Sequence, residues 1–93
     1  MPARRIEIEC TESRDGWVAH VTVTTSTRTA HVVRVSRAEH QKYGGGDVKD
    51  LVRRSFEFLL DRESNTSILR EFDLDTITRY FPEYATAMQA RRD

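Results

Sequence analysis

Cysteine, proline and glycine are scarce in this chain, and neither sign of charge dominates it. The one cysteine, Cys10, cannot form an intrachain disulfide, which fits a reducing compartment; the expected location is the cytoplasm. No apolar run approaches the roughly 20 residues that a membrane-crossing helix needs. The opening Met1-Pro2-Ala3-Arg4-Arg5 leads into alternation rather than a signal-peptide core, so neither export nor membrane insertion is expected. The 15 basic residues are balanced by 15 acidic ones, which removes the overall basic excess that draws a protein onto phosphate backbones.

Chemical motifs are missing as well. Gly44-Gly45-Gly46-Asp47 precedes a helix, but it has no G-x-x-x-x-G-K-S/T lysine or hydroxyl, and Asp47 puts a carboxylate where phosphate would sit. It reads as a cap and hinge. Cys10 with His20, His31 and His40 has no C-x-x-C or H-x-x-x-H spacing, and strand alternation sends His20 and His31 to opposite faces. No nucleophile elbow is present, and the paired acids Asp73/Asp75 and Asp61/Glu63 read as caps and solvated helix ends. No catalytic residue, metal site or cofactor is assigned.

What is present is periodicity. Ile6, Ile8 and Cys10 alternate with Glu7 and Glu9, the pattern of a half-buried strand. Asp15-Gly16 marks a hairpin turn into a second strand, Trp17 to Thr25, and a third runs from about Arg28 to Val35. A three-residue loop, Thr25-Ser26-Thr27, puts Trp17, Ala19, Val21 and Val23 on one face with His31, Val33 and Val35. The opposite face, with Val18, His20, Thr22, Thr24, Ala30, Val32 and Arg34, is more polar.

The period changes at Ser36. Ser36-x-x-Glu39 is a capping box that opens a short helix over 37–43. From Val48 to Arg62 the residues Val48, Leu51, Val52, Ser55, Phe56, Leu59 and Leu60 recur at helical spacing, and Phe58 widens the apolar sector to roughly half the circumference. Ile68, Leu69 and Phe72 read as one packed turn, Asp73 as the cap of a helix from Leu74 to Tyr80, and Pro82 as its stop. The expected fold is a single α+β domain over 1–93: three antiparallel strands (1–35), two to four helices packed on one face (36–84), and a frayed tail (85–93).

The run Ser55-Phe56-Glu57-Phe58-Leu59-Leu60, with Arg62-Glu63, Ser67-Ile68-Leu69, Phe72-Asp73-Leu74 and Phe81-Pro82-Glu83-Tyr84, resembles a group of small bacterial proteins of unknown function. The resemblance covers about the second half of the chain and implies a fold class, with no functional residues to carry over.

Two functions follow as expectations. The first is a non-catalytic protein-interaction module, homodimeric because three strands leave two open edges, with Phe58, Tyr80, Tyr84 and Met88 as its apolar surface. The second is a nucleic-acid-binding or antitoxin-like protein whose edge is built from Arg4, Arg5, Arg28, Arg34 and Arg37.

Overall fold

The computed structural model describes residues 4–43 and 46–90. Three long strands, β1 (Arg5–Ser13), β2 (Gly16–Thr24) and β3 (Arg28–Ser36), form an antiparallel meander. The alternation of each strand dictates the register. Ile8 lies opposite Val21 and Val21 opposite His31, while Cys10, Ala19 and Val33 form the next row. The three-residue loop after Thr24 and the register inferred from it are those observed.

Gly16 ends the first turn at the centre of the sheet, facing both Ser13 and Ser36. A Cβ there would lie 2.0 Å from the Val35 carbonyl oxygen, so only glycine lets the strands approach.

A fourth strand, β4 (Glu71–Asp73), pairs in parallel with β3, giving the order β1-β2-β3-β4. This corrects the expected three-stranded sheet, and it corrects Asp73, which belongs to β4 and pairs with Arg34 instead of capping a helix. The strand is held at its ends by Val32 N–H to the Arg70 carbonyl at 2.7 Å and Leu74 N–H to the Arg34 carbonyl at 3.0 Å.

Among the described residues four α-helices follow the meander: α1 (Arg37–Lys42), α2 (Val48–Leu60), α3 (Thr76–Tyr80) and α4 (Tyr84–Ala90). The capping box forms: Ser36 Oγ accepts from Glu39 N–H at 3.0 Å, and the Glu39 carboxylate accepts from Ser36 N–H at 2.7 Å. The other Glu39 oxygen accepts from Asp75 N–H at 2.8 Å, which ties the start of α1 to that of α3. Asp47 caps α2 through Lys49 N–H. Of the triple glycine, Gly44 and Gly45 lie outside the described residues.

The helices close one core on the inward sheet face, where Val21, Val23 and Val33 meet Leu51, Val52, Phe56, Leu74, Tyr84 and Met88. At about 25 cal/mol per Å² of apolar area, such burial is the main favourable term in folding. The segment expected to fray is helical through Ala90 and docks through the buried Met88; residues 91–93 lie outside the described residues. Among the described residues no helix is long and apolar enough to cross a membrane.

Candidate functional site

Hydrogen-bond alternation in the sheet determines which backbone groups face outward. In an antiparallel ladder, alternate residues turn both N–H and C=O to the same neighbour. Val32 and Arg34 bond towards β4, so the even residues of β3 point away from β2 and its odd residues towards it. The odd residues of β2 therefore serve β3, its even residues serve β1, and the odd residues of β1 face β2. The N–H and C=O groups of Ile6, Ile8, Cys10 and Glu12 are left pointing off the free edge of β1.

One of these groups is engaged: Arg53 on α2 donates to the Ile6 carbonyl at 2.9 Å. Among the described residues no strand pairs with β1 on this side. Its side chains divide by face. Ile6 and Ile8 are buried and Cys10 half-buried against the core, with burial pushing the Cys10 thiol pKa upward, while Glu7, Glu9 and Thr11 are exposed on the outer face. The outer face continues across the sheet in rows, Glu9 beside His20, Val32 and Glu71, and Thr11 beside Val18, Arg34 and Asp73.

The aromatic residues expected to form an interface are mostly internal. Phe58, Tyr84 and Met88 are 4%, 0% and 0% exposed, so these three are corrected from surface to core. Phe58 stacks edge-on against Tyr84 at 5.3 Å and Phe81 at 6.0 Å, with the Arg62 guanidinium 3.5 Å above its ring. Tyr84 shares a hydroxyl hydrogen bond with Ser55. Tyr80 alone of the four stands in solvent, at 66% exposure.

The five-arginine edge is also not assembled. Arg5 and Arg28 stand in one row across Thr24 at one end of the sheet, while Arg34 and Arg37 are at the other. Arg34 is bridged to Glu71 and Asp73, Arg37 to Glu12 at 2.8 Å with its guanidinium over Trp17, and Arg4 to Asp61 at 3.4 Å. Of the five, Arg5 and Arg28 have no carboxylate partner among the described residues.

A groove of about 620 Å³ runs between the end of the sheet and α1, lined in part by Trp17, Arg34, Glu39, Lys42, Asp73 and Asp75. Most of its charged groups already have partners. Asp75 accepts from the Tyr43 hydroxyl and from Lys42, and Glu39 accepts from two backbone N–H groups. Burial first, and then the Asp75 carboxylate, push the Tyr43 phenol pKa far up, so it remains a donor. The groove is a joint between α1 and α3.

A half-buried polar chain ties the other end of the sheet to the turn at Asn65–Ser67. Asn65 Nδ2 lies 2.9 Å from the Thr27 carbonyl and 3.0 Å from Thr29 Oγ1, and Thr25 Oγ1 donates to Asn65 Oδ1 at 3.2 Å. His31 Nδ1 donates to the Leu69 carbonyl at 2.8 Å, because a carbonyl only accepts. Its Nε2 then accepts from Thr29 Oγ1 at 2.9 Å. His31 is thereby a core bolt, and His20 stands on the opposite, exposed face.

No family model matches the chain, and no curated protein or solved structure matches it either.

Proposed function

We propose that the chain is a small non-catalytic protein-interaction module, working in the cytoplasm, whose working surface is the free edge of β1. Its occupant is an extended basic segment of another protein, added as a fifth strand. The observation that carries this reading is the nine-residue length of β1 with the backbone groups of Ile8, Cys10 and Glu12 turned outward. Long open edges are normally blunted, because they template pairing with other chains. Here Glu7 and Glu9 are exposed beside the open backbone groups, so the edge welcomes a strand with Lys or Arg at alternate positions.

A second copy of the chain is the competing occupant, as the homodimer expected from the sequence. Antiparallel self-pairing about Glu7, Ile8 or Glu9 brings Glu7 onto Glu7, Glu7 onto Glu9, or Glu9 onto Glu9. Like charges directly opposed across strands are destabilising. Pairing about Glu7 also sets Arg5 opposite Glu9, so the repulsion weighs against a second copy chiefly in the registers about Ile8 and Glu9, and a foreign basic strand meets no such clash in any register.

Two peptides test this, one alternating valine and lysine and one alternating valine and glutamate, with amide hydrogen exchange and light scattering as readouts. The lysine peptide is expected to slow exchange at the Ile8 and Cys10 amides and to leave one chain per complex. A peptide-free dimer with those amides already protected would make the second copy the occupant. No protection by either peptide would remove the edge as the working surface.

A further inference from the structure

β3 is nine residues long and β4 only three, so part of the outer edge of β3 has no partner strand. Pairing starts at Val32; before it, Arg28 and Ala30 border a notch of about 390 Å³ whose far wall includes Thr66 and Arg70. The alternation that sends Val32 N–H to the Arg70 carbonyl sends Ala30 N–H into this notch. Arg28 and Arg70 approach it from its two walls, both exposed and both without a carboxylate partner among the described residues. Arg4, Arg34, Arg37, Lys42, Arg54 and Arg62 each have one, whereas Arg5, Arg14, Lys49 and Arg79 have none among the described residues, so what sets Arg28 and Arg70 apart is the recess they share.

We infer that the notch is an oxyanion site that takes a phosphate group between the Arg28 and Arg70 guanidiniums and over the Ala30 N–H. Two exposed guanidiniums bordering one recess give it a positive potential that attracts an anion. Guanidinium forks match phosphate oxygens in pairs, and two forks with a backbone N–H suit the several oxygens of a phosphate better than the two of a carboxylate. The walls are also fixed before any ligand arrives. The Asn65 amide bridges the turn to Thr29 at 3.0 Å, and the Arg70 carbonyl is held by Val32 N–H at 2.7 Å. With the backbone of both walls preset, only the two arginine side chains remain to be ordered on binding. The site lies on the edge of the sheet opposite β1 and is independent of strand addition there.

The test is a titration of the labelled protein with inorganic phosphate, pyrophosphate or a single-stranded oligonucleotide, each against chloride at matched ionic strength. Saturable shifts at the Arg28, Ala30 and Arg70 amides are expected, with affinity falling about tenfold in each of Arg28→Gln and Arg70→Gln. Unchanged signals elsewhere would show that both variants fold. Tighter binding of the oligonucleotide at the same amides would name a phosphodiester backbone as the source, and binding of the inorganic ions alone a small phosphate; either supports the site. Shifts no larger than those from chloride, or undiminished binding by the glutamine variants, would overturn it.

Discussion

Arg53 on α2 donates to the backbone carbonyl of Ile6, one of the groups that β1 turns away from its partner strand. A helix side chain thus closes one end of an open sheet edge and leaves Ile8 and Cys10 beyond it. Arg53→Met keeps the aliphatic stem but removes the donor. Loss of this half-buried hydrogen bond is expected to cost about 1 kcal/mol in a urea titration. The same variant uncovers the Ile6 carbonyl and deletes a positive charge beside the edge, so it should bind a lysine-alternating peptide more tightly. Weaker peptide binding alongside lower stability would mean that Arg53 supports the edge without limiting it.

Phe58→Asp separates a core role from a surface one. The ring is enclosed by Tyr84, Phe81 and the Arg62 guanidinium. Removing an aromatic side chain from such a site costs about 3 to 5 kcal/mol before the penalty for a buried carboxylate is counted. Against a total of about 5 to 15 kcal/mol, the variant should be largely unfolded by circular dichroism. A folded variant with a smaller solution mass would instead return Phe58 to an interface.

These residues mark the limit of what the chain's pattern reveals. Alternation in Ile6–Cys10, Trp17–Val23 and His31–Val35 was enough to set three strands and their register, and Ser36 with Glu39 disclosed the first helix cap. β4 escaped because three residues carry no period, and its partner Val33 is far away in sequence. Phe58 was misplaced for a related reason. A wide apolar sector on α2 shows that two flanks are covered, but not that α4, through the fully buried Tyr84 and Met88, covers the second. The arginines are least legible of all, since Arg34 finds Asp73 39 residues away and Arg37 finds Glu12 25 residues away. The notch beside Ala30 exists only because β4 is short, which no local pattern reports.

Asn65→Ala tests the polar chain that fastens the turn at Asn65–Ser67 to the sheet. The amide faces three acceptors, the Val23 and Thr27 carbonyls and Thr29 Oγ1, and Asn65 is 3% exposed. Removing it takes one donor from each, while Thr29 Oγ1 keeps His31 and the exposed Thr27 keeps the Thr25 N–H on its carbonyl, so the loss is about 1 to 2 kcal/mol in total. The loss should appear in thermal unfolding together with faster amide exchange at Thr25 and Thr27. A change of only a few tenths of a kcal/mol would mean that water replaces the amide and that the turn is held by Ile68 instead.

Tyr84 gives the fold an alkaline limit. Its ring is fully buried, and this desolvation pushes the phenol pKa well up despite the opposing hydrogen bond with Ser55. In the unfolded chain the group ionises near an ordinary value of about 10. A folded pKa raised above the unfolded one means that the stabilisation is complete below about pH 10 and is lost as pH rises from there towards the folded value. Tyr43 shifts the same way, chiefly through burial, so both contribute to the decline. Tyr84→Phe should lose about 1 kcal/mol at neutral pH, because Ser55 keeps its bond to the Leu51 carbonyl at 2.8 Å while the tyrosine bond goes. Between about pH 8 and pH 11 its urea midpoint should fall less steeply than that of the parent protein, with the remaining slope due to Tyr43. Parallel declines in the two proteins would show that Tyr84 does not set the alkaline limit.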